Sequence, residues 1–112
     1  MTDLQPCIDS CAGCARLCRE GASACLKAPH LTELGKLLLD CAALCSLTVE
    51  VLARASRHHG DFCVVNRHIN LVCASECDRV LVANQLTELR ECRDACLLCA
   101  RECEKHIGDG DL

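Results

Sequence analysis

Cys7, Cys11, Cys14 and Cys18 step along the chain by four, three and four residues, and Cys92, Cys96, Cys99 and Cys103 repeat that spacing near the other terminus. At about 100° per residue of an α-helix, Cys7, Cys11, Cys14, Cys18 and the later Cys25 fall inside an arc of about 60°. A four-three-four row also reads the same in both directions. Two such helices lying antiparallel would set their thiols opposite one another, Cys7 facing Cys103, Cys11 facing Cys99, Cys14 facing Cys96 and Cys18 facing Cys92. The remaining sequence reads as scaffolding for that ladder.

The periodicity is helical throughout, and no stretch alternates as a half-buried strand would. Pro29 stops a first helix over residues 4–27, because the position before a proline disfavours helix. Thr32 is a candidate N-cap for a second helix over 32–58, closed by Gly60 as a left-handed stop. Asp61 can cap a third over 61–83, with Asn84 as its stop, and Thr87 a fourth over 86–107. Residues 108–112 then form a frayed tail. Four helices with short connections predict an all-α, antiparallel up-down-up-down bundle, and 112 residues make one domain of it.

Seams followed at steps of three and four place every cysteine inside. The second helix offers Leu34, Leu38, Cys41, Cys45, Thr48, Leu52, Ala55 and His59; the third offers Cys63, Asn66, Asn70, Cys73, Cys77, Val80 and Asn84. One end of such a bundle collects Cys7, His58, His59, Cys63, Cys103 and His106. The other end, with Cys25, His30, Leu34, Asn84 and Leu89, is more apolar. His68 falls off the seam and belongs to the surface.

Composition closes several routes. A net charge of −4, acids and bases mixed along the chain, and no Trp or Tyr argue against a nucleic-acid surface. No apolar run approaches the roughly 20 residues that span a bilayer. The stretch from Met1 to Pro6 has neither a basic start nor an apolar core, so no secretory signal is read and a reducing, cytoplasmic setting is expected. Fourteen cysteines would otherwise suggest a disulfide scaffold. Residues four apart on a helix hold their Cβ atoms about 5–6 Å apart, however, where a disulfide needs about 3.5–4.5 Å.

A buried cysteine is often only a small hydrophobe, and Cys41 or Cys45 among leucines could be that. Nine thiols on the first and last helices, with scarcely a leucine beside them, are not. Each methylene given up for sulfur forfeits about 0.8 kcal/mol of burial. Such a core calls for a ligand, and soft thiolates select Cu(I), Zn(II) or iron–sulfur clusters. A two-coordinate Cu(I) wants sulfurs on the order of 4–5 Å apart, near what C-x3-C on a helix presents. Zinc prefers one closed tetrahedron, and iron–sulfur clusters prefer short loop-borne groups. A zinc-binding or thiol-redox helical module using Cys11/Cys14 and Cys96/Cys99 stays open, though a thioredoxin-like site would sit beside a βαβ unit. A helical interaction domain with incidental cysteines is a third reading. No nucleophilic triad, carboxylate pair or phosphate loop stands out, so no enzyme is expected.

The two rows Cys7-x3-Cys11-x2-Cys14-x3-Cys18 and Cys92-x3-Cys96-x2-Cys99-x3-Cys103, with Cys41-x3-Cys45 and Cys73-x3-Cys77, resemble the cysteine-rich four-helix-bundle copper storage proteins of bacteria. The resemblance covers essentially the whole chain. It implies a tube of helices storing several Cu(I) ions per chain, a signal-less cytosolic branch and a homotetramer. The metal ligands it implies are Cys7, Cys11, Cys14, Cys18, Cys92, Cys96, Cys99 and Cys103 first, then Cys25, Cys41, Cys45, Cys63, Cys73 and Cys77. His59 and His106 follow, in the ring of residues that would form the entrance. Within the ladder, Asn66 and Asn70 stand between Cys63 and Cys73, Leu89 precedes the fourth helix's thiols, and the single methionine is Met1.

Overall fold

The computed structural model describes residues 3–109. It has four helices, α1 (Gln5–Cys25), α2 (Thr32–Ala53), α3 (His59–Leu81) and α4 (Thr87–Glu104), with a 3-10 turn, Pro29–Leu31, between α1 and α2. No strand occurs among the described residues. Helix α1 packs on α2 and α4, and α3 packs on the same two, so the four close into an antiparallel bundle of 46 × 20 × 18 Å. No described helix is long and apolar enough to cross a membrane.

The helix ends differ from the sequence expectation for identifiable reasons. Helix α1 stops at Cys25 because Ala28, before Pro29, is extended and the preceding turn tightens to Lys27→Ala24 and Ala28→Cys25 hydrogen bonds. Thr32 is not the cap of α2 but its first residue, with its hydroxyl donating to the Pro29 carbonyl at 3.1 Å. Thr87 likewise opens α4 without capping it.

The largest correction concerns the turn between α2 and α3. Gly60 is not the stop. Helix α2 ends at Ala53, and Ala55 takes the left-handed conformation, with φ 51°. Ser56 N–H then donates to the Val51 carbonyl and Ala55 N–H to that of Leu52, the paired bonds of a Schellman closure. The chain reverses early enough for α3 to begin at His59, so Asp61 lies inside its first turn rather than at its cap. Helix α3 ends at Leu81, where Asn84 donates to the Val80 carbonyl through both its backbone and side-chain nitrogens. After Glu104 the chain winds on in short turns, His106→Cys103 and Asp109→His106. Asp109, expected in a frayed tail, is thus held; residues 110–112 of that tail lie outside those described.

All fourteen cysteines are buried in the tube. Leu31, Leu34, Leu38, Val80, Leu81 and Leu89 fill the end beyond them, which closes that side with hydrocarbon. The opposite end carries His59 and His106. The alternation of sulfur, hydrocarbon and imidazole along one axis sets the polarity of the molecule.

Candidate metal centre

The centre is built from the repeat of three and four residues on α1 and α4. Each cysteine points inward because that spacing keeps to one stripe of an α-helix. The antiparallel pairing then brings the rows together. Sulfur–sulfur separations are 3.9 Å for Cys7–Cys103, 3.5 Å for Cys11–Cys99, 3.7 Å for Cys14–Cys96 and 3.4 Å for Cys18–Cys92. These are the four facing pairs that the palindromic spacing predicts. Cross-links also run along the ladder, Cys14–Cys18 at 3.8 Å and Cys18–Cys96 at 3.7 Å.

The thiols of α2 and α3 complete the walls. Three groups have all their sulfurs within 4.8 Å of one another: Cys7, Cys11 and Cys103; Cys14, Cys45 and Cys99; and Cys14, Cys18, Cys41 and Cys96. Cys14 belongs to two of them, and Cys99 reaches Cys11 of the third. The donors therefore form one connected series. Cys63 joins the outer group beside Cys7 and Cys103, Cys73 lies beside Cys41 and Cys96, and Cys77 beside Cys92. Cys25 stands at the hydrocarbon end, next to Cys92 and outside the three close groups.

Asn66 and Asn70 are fully buried in the middle of this series. Asn66 Nδ2 donates to Asn70 Oδ1 at 2.7 Å and to Cys99 and Cys45 sulfurs at 3.4 and 3.6 Å. Asn70 Nδ2 donates to Cys14 and Cys41 at 3.5 Å and to Cys45 at 3.8 Å. Asn66 Oδ1 is buried without a hydrogen-bond partner.

The crowding sorts the thiols electrostatically. Cys7 is held below its ordinary range by hydrogen bonds with Cys103, Cys11 and Cys63, and Cys99 by those with Cys103, Cys11, Cys14 and Cys45. Cys41, among Cys14, Cys18, Cys45 and Cys73, and Cys92, among Cys18, Cys77 and Cys96, are lowered in the same way. Their neighbours go the other way. Cys14 is raised by its bonds to Cys18, Cys41, Cys45 and Cys96, and Cys103 by its bonds to Cys11, Cys63, Cys7 and Cys99, with burial adding to both. At Cys63 the hydrogen bond to Cys103 lowers the value, but Cys7 and burial outweigh it and push the thiol up to about 12. A cluster of thiols sharing hydrogen bonds in this way is a site where an incoming soft cation can displace protons one after another.

The donor set fits a soft cation. A two-coordinate thiolate complex with bonds of about 2.3 Å needs sulfurs about 4.6 Å apart, and three-coordination somewhat less. The described residues place no carboxylate among these sulfurs. At the histidine end, His59 and His106 do come together, with ring centroids 6.2 Å apart. They meet over Asp109, which was not foreseen, although its spacing of three from His106 is a signal that could have marked it. His58 does not join them; it is exposed and faces Asp61 at 3.8 Å. His68 is exposed.

Comparison with known proteins agrees with this geometry. The family profile described as Csp, copper storage protein, matches residues 1–108. An uncharacterized cysteine-rich protein of Bacillus subtilis, YhjQ, is 26% identical over 102 residues, covering 88% of this chain and 91% of that protein. The structure of apo copper storage protein 3 from Bacillus subtilis superimposes with a TM-score of 0.84 at 26% identity, over 94% of this chain and 99% of that one. The Cu(I)-bound form of the same protein gives a TM-score of 0.84 at 25% identity, over 93% and 97%. A thiol-lined four-helix tube, a profile match over nearly its full length and a superposition over nearly every residue converge on one assignment: the chain belongs to the copper storage protein family.

Proposed function

We propose that this chain stores several Cu(I) ions along the axis of its bundle, as a reservoir and not as an enzyme. The observation that carries this is the connected series of buried sulfurs, from Cys7 and Cys103 through Cys11, Cys99, Cys14 and Cys96 to Cys18 and Cys92, with rungs of 3.4–3.9 Å. Cu(I) suits two or three thiolates, so adjacent ions can share sulfurs while each balances about one negative charge. The binding of Cu(I) by the related Bacillus subtilis protein supports the same choice of metal. The eight thiols of α1 and α4 are the primary ligands, and Cys25, Cys41, Cys45, Cys63, Cys73 and Cys77 extend the series. The histidine end is the entrance, since the other is closed by leucines, and Cu(I) passes His59 and His106 on its way to the sulfurs.

The experiment is an anaerobic titration of the metal-free protein with Cu(I), followed by thiolate-to-copper absorption and by competition with a Cu(I) chelator. Linear growth through many equivalents supports storage; the absence of Trp and Tyr leaves that ultraviolet window clear. Saturation at one equivalent would instead favour a structural zinc site, for which the group Cys14, Cys18, Cys41 and Cys96 supplies four sulfurs. Formation of specific disulfides at a defined potential would favour redox chemistry.

We further infer a cytoplasmic protein, one domain per chain, assembling as a homotetramer. Exposed apolar side chains on the outer faces of α3 and α4, among them Val64, Val65, Leu71, Leu97 and Leu98, support an assembly. Sedimentation equilibrium tests the state, and a monomer at micromolar concentration would refute it.

A further inference from the structure

At the open end of the bundle, two imidazoles and a carboxylate converge outside the thiol ladder. His59 opens α3 four residues before Cys63, and His106 follows Cys103 by three. Each imidazole thus stands about one helical turn beyond the outermost thiol of its segment. Asp109 Oδ2 lies 3.1 Å from His59 Nε2 and 3.0 Å from His106 Nδ1. All three atoms fall within 4.8 Å of one another, and His106 is only 3% exposed.

The backbone is shaped to bring Asp109 there. A Cβ on Gly60 would sit 2.8 Å from the Asp109 carbonyl oxygen and 3.0 Å from that of His106. Those neighbours are main-chain atoms and cannot swing aside. Only glycine at position 60 lets the C-terminal turn lie against the start of α3.

The hydrogen-bond chemistry of His59 points to a bound cation. Its Nδ1 is 2.7 Å from the Ser56 carbonyl, which can only accept, so Nδ1 carries the hydrogen. The neutral ring then presents its Nε2 lone pair to a carboxylate oxygen. Two acceptors at that distance repel unless something positive lies between them. A second proton would serve, and so would a metal ion. Metal-bound histidines commonly show this arrangement, one ring nitrogen donating to a backbone carbonyl while the other faces the ion.

We propose that His59 Nε2, His106 Nδ1 and Asp109 Oδ2 bind one borderline divalent cation, such as Zn(II) or Co(II), at the mouth of the bundle and apart from the thiolate ladder. Two imidazole nitrogens and a carboxylate oxygen suit such ions, whereas Cu(I) prefers the sulfurs one turn further in. Bonds of about 2.0–2.2 Å in a tetrahedral arrangement place donor atoms about 3.4 Å apart, so the two nitrogen–carboxylate distances need open by only a few tenths of an ångström. The site stands on its own donors and does not require that the ladder hold copper.

The test begins with the full chain saturated anaerobically with Cu(I), followed through thiolate-to-copper absorption so that failure of loading is read separately. Co(II) is then added. The proposal expects one further equivalent with weak visible ligand-field bands and no sulfur-to-cobalt charge transfer. Asp109→Ala should weaken that binding at least about tenfold while leaving the Cu(I) equivalents unchanged. In parallel, imidazole nitrogen spectra of the metal-free protein titrated with Zn(II) should shift His59 Nε2 and His106 Nδ1, and this readout decides the question even if the ladder refuses copper. Cobalt seen only with sulfur bands, imidazoles that do not move, or an Asp109→Ala protein that binds as well as the parent would each overturn the proposal and leave a hydrogen-bonded clasp.

Discussion

Asn70 shows how tightly the polar atoms of this core are committed. It accepts from Asn66 at 2.7 Å and donates toward Cys14, Cys41 and Cys45. Asn70→Ala would strand the Asn66 amide, open a small cavity and remove those donors together. A loss of about 2–3 kcal/mol is expected in urea denaturation of the metal-free protein. Ala55 offers the opposite case. It occupies a left-handed helix terminus at φ 51°, where an L side chain carries a penalty of about 1 kcal/mol. Ala55→Gly should raise the urea midpoint by a corresponding amount, offset in part by the added freedom of the unfolded chain. Gly60→Ala tests a contact rather than a dihedral angle. The new Cβ would push the Asp109 backbone away, so amide exchange at positions 106–109 should accelerate while the rungs of the ladder stay protected.

Between elements, the ladder joining α1 to α4 was legible because its information is local and periodic. Four-three-four spacing puts sulfurs on one stripe, its palindromic order fixes which faces which, and the observed rungs follow those pairs. The turn between α2 and α3 was not legible, for a physical reason. Glycine serves both left-handed stops and close backbone contacts, and only tertiary structure distinguishes them; here Ala55 takes the dihedral angle and Gly60 the contact. Asp109 was half hidden: its spacing of three from His106 marks that one pairing, but nothing local shows that His59, from a separate segment, meets the same carboxylate. The ladder's connectivity also ranks its members. Cys14 is shared by two sulfur groups, whereas Cys25 lies outside all three. Cys14→Ala should therefore cost more Cu(I) equivalents than Cys25→Ala in the same chelator-competition titration. Equal losses would mean that ions bind at independent thiols instead of in shared groups.

For the molecule as a whole, a core of thiols makes stability a function of pH and of metal. Cys63 rises from an ordinary 9.0 to about 12 in the folded chain, and Cys11, Cys14, Cys18, Cys45, Cys73, Cys77, Cys96 and Cys103 are raised as well. Above about pH 9 the unfolded chain releases these protons while the folded chain retains them. Unfolding then binds fewer protons than folding holds, and stability falls as pH rises. For Cys63 the contribution is intact below 9.0 and disappears as pH passes through about 12. The lowered thiols Cys7, Cys41, Cys92 and Cys99 do not offset this, because above pH 9 they are ionised in both states and contribute no slope. The metal-free protein, denatured with urea under anaerobic reductant, should lose stability steeply between about pH 9 and 11. Copper reverses the dependence at its source. Once Cu(I) has displaced the thiol protons, the folded state has few left to retain, and the ions bind it in preference to the unfolded chain. The loaded protein should hold its urea midpoint across the same interval, and loading in weak buffer near pH 7.5 should release protons in proportion to the thiols engaged. A metal-free protein whose stability stayed level through that range would mean that the fourteen thiols titrate as they do in water, and that they do not share the sealed, crowded interior on which the store depends.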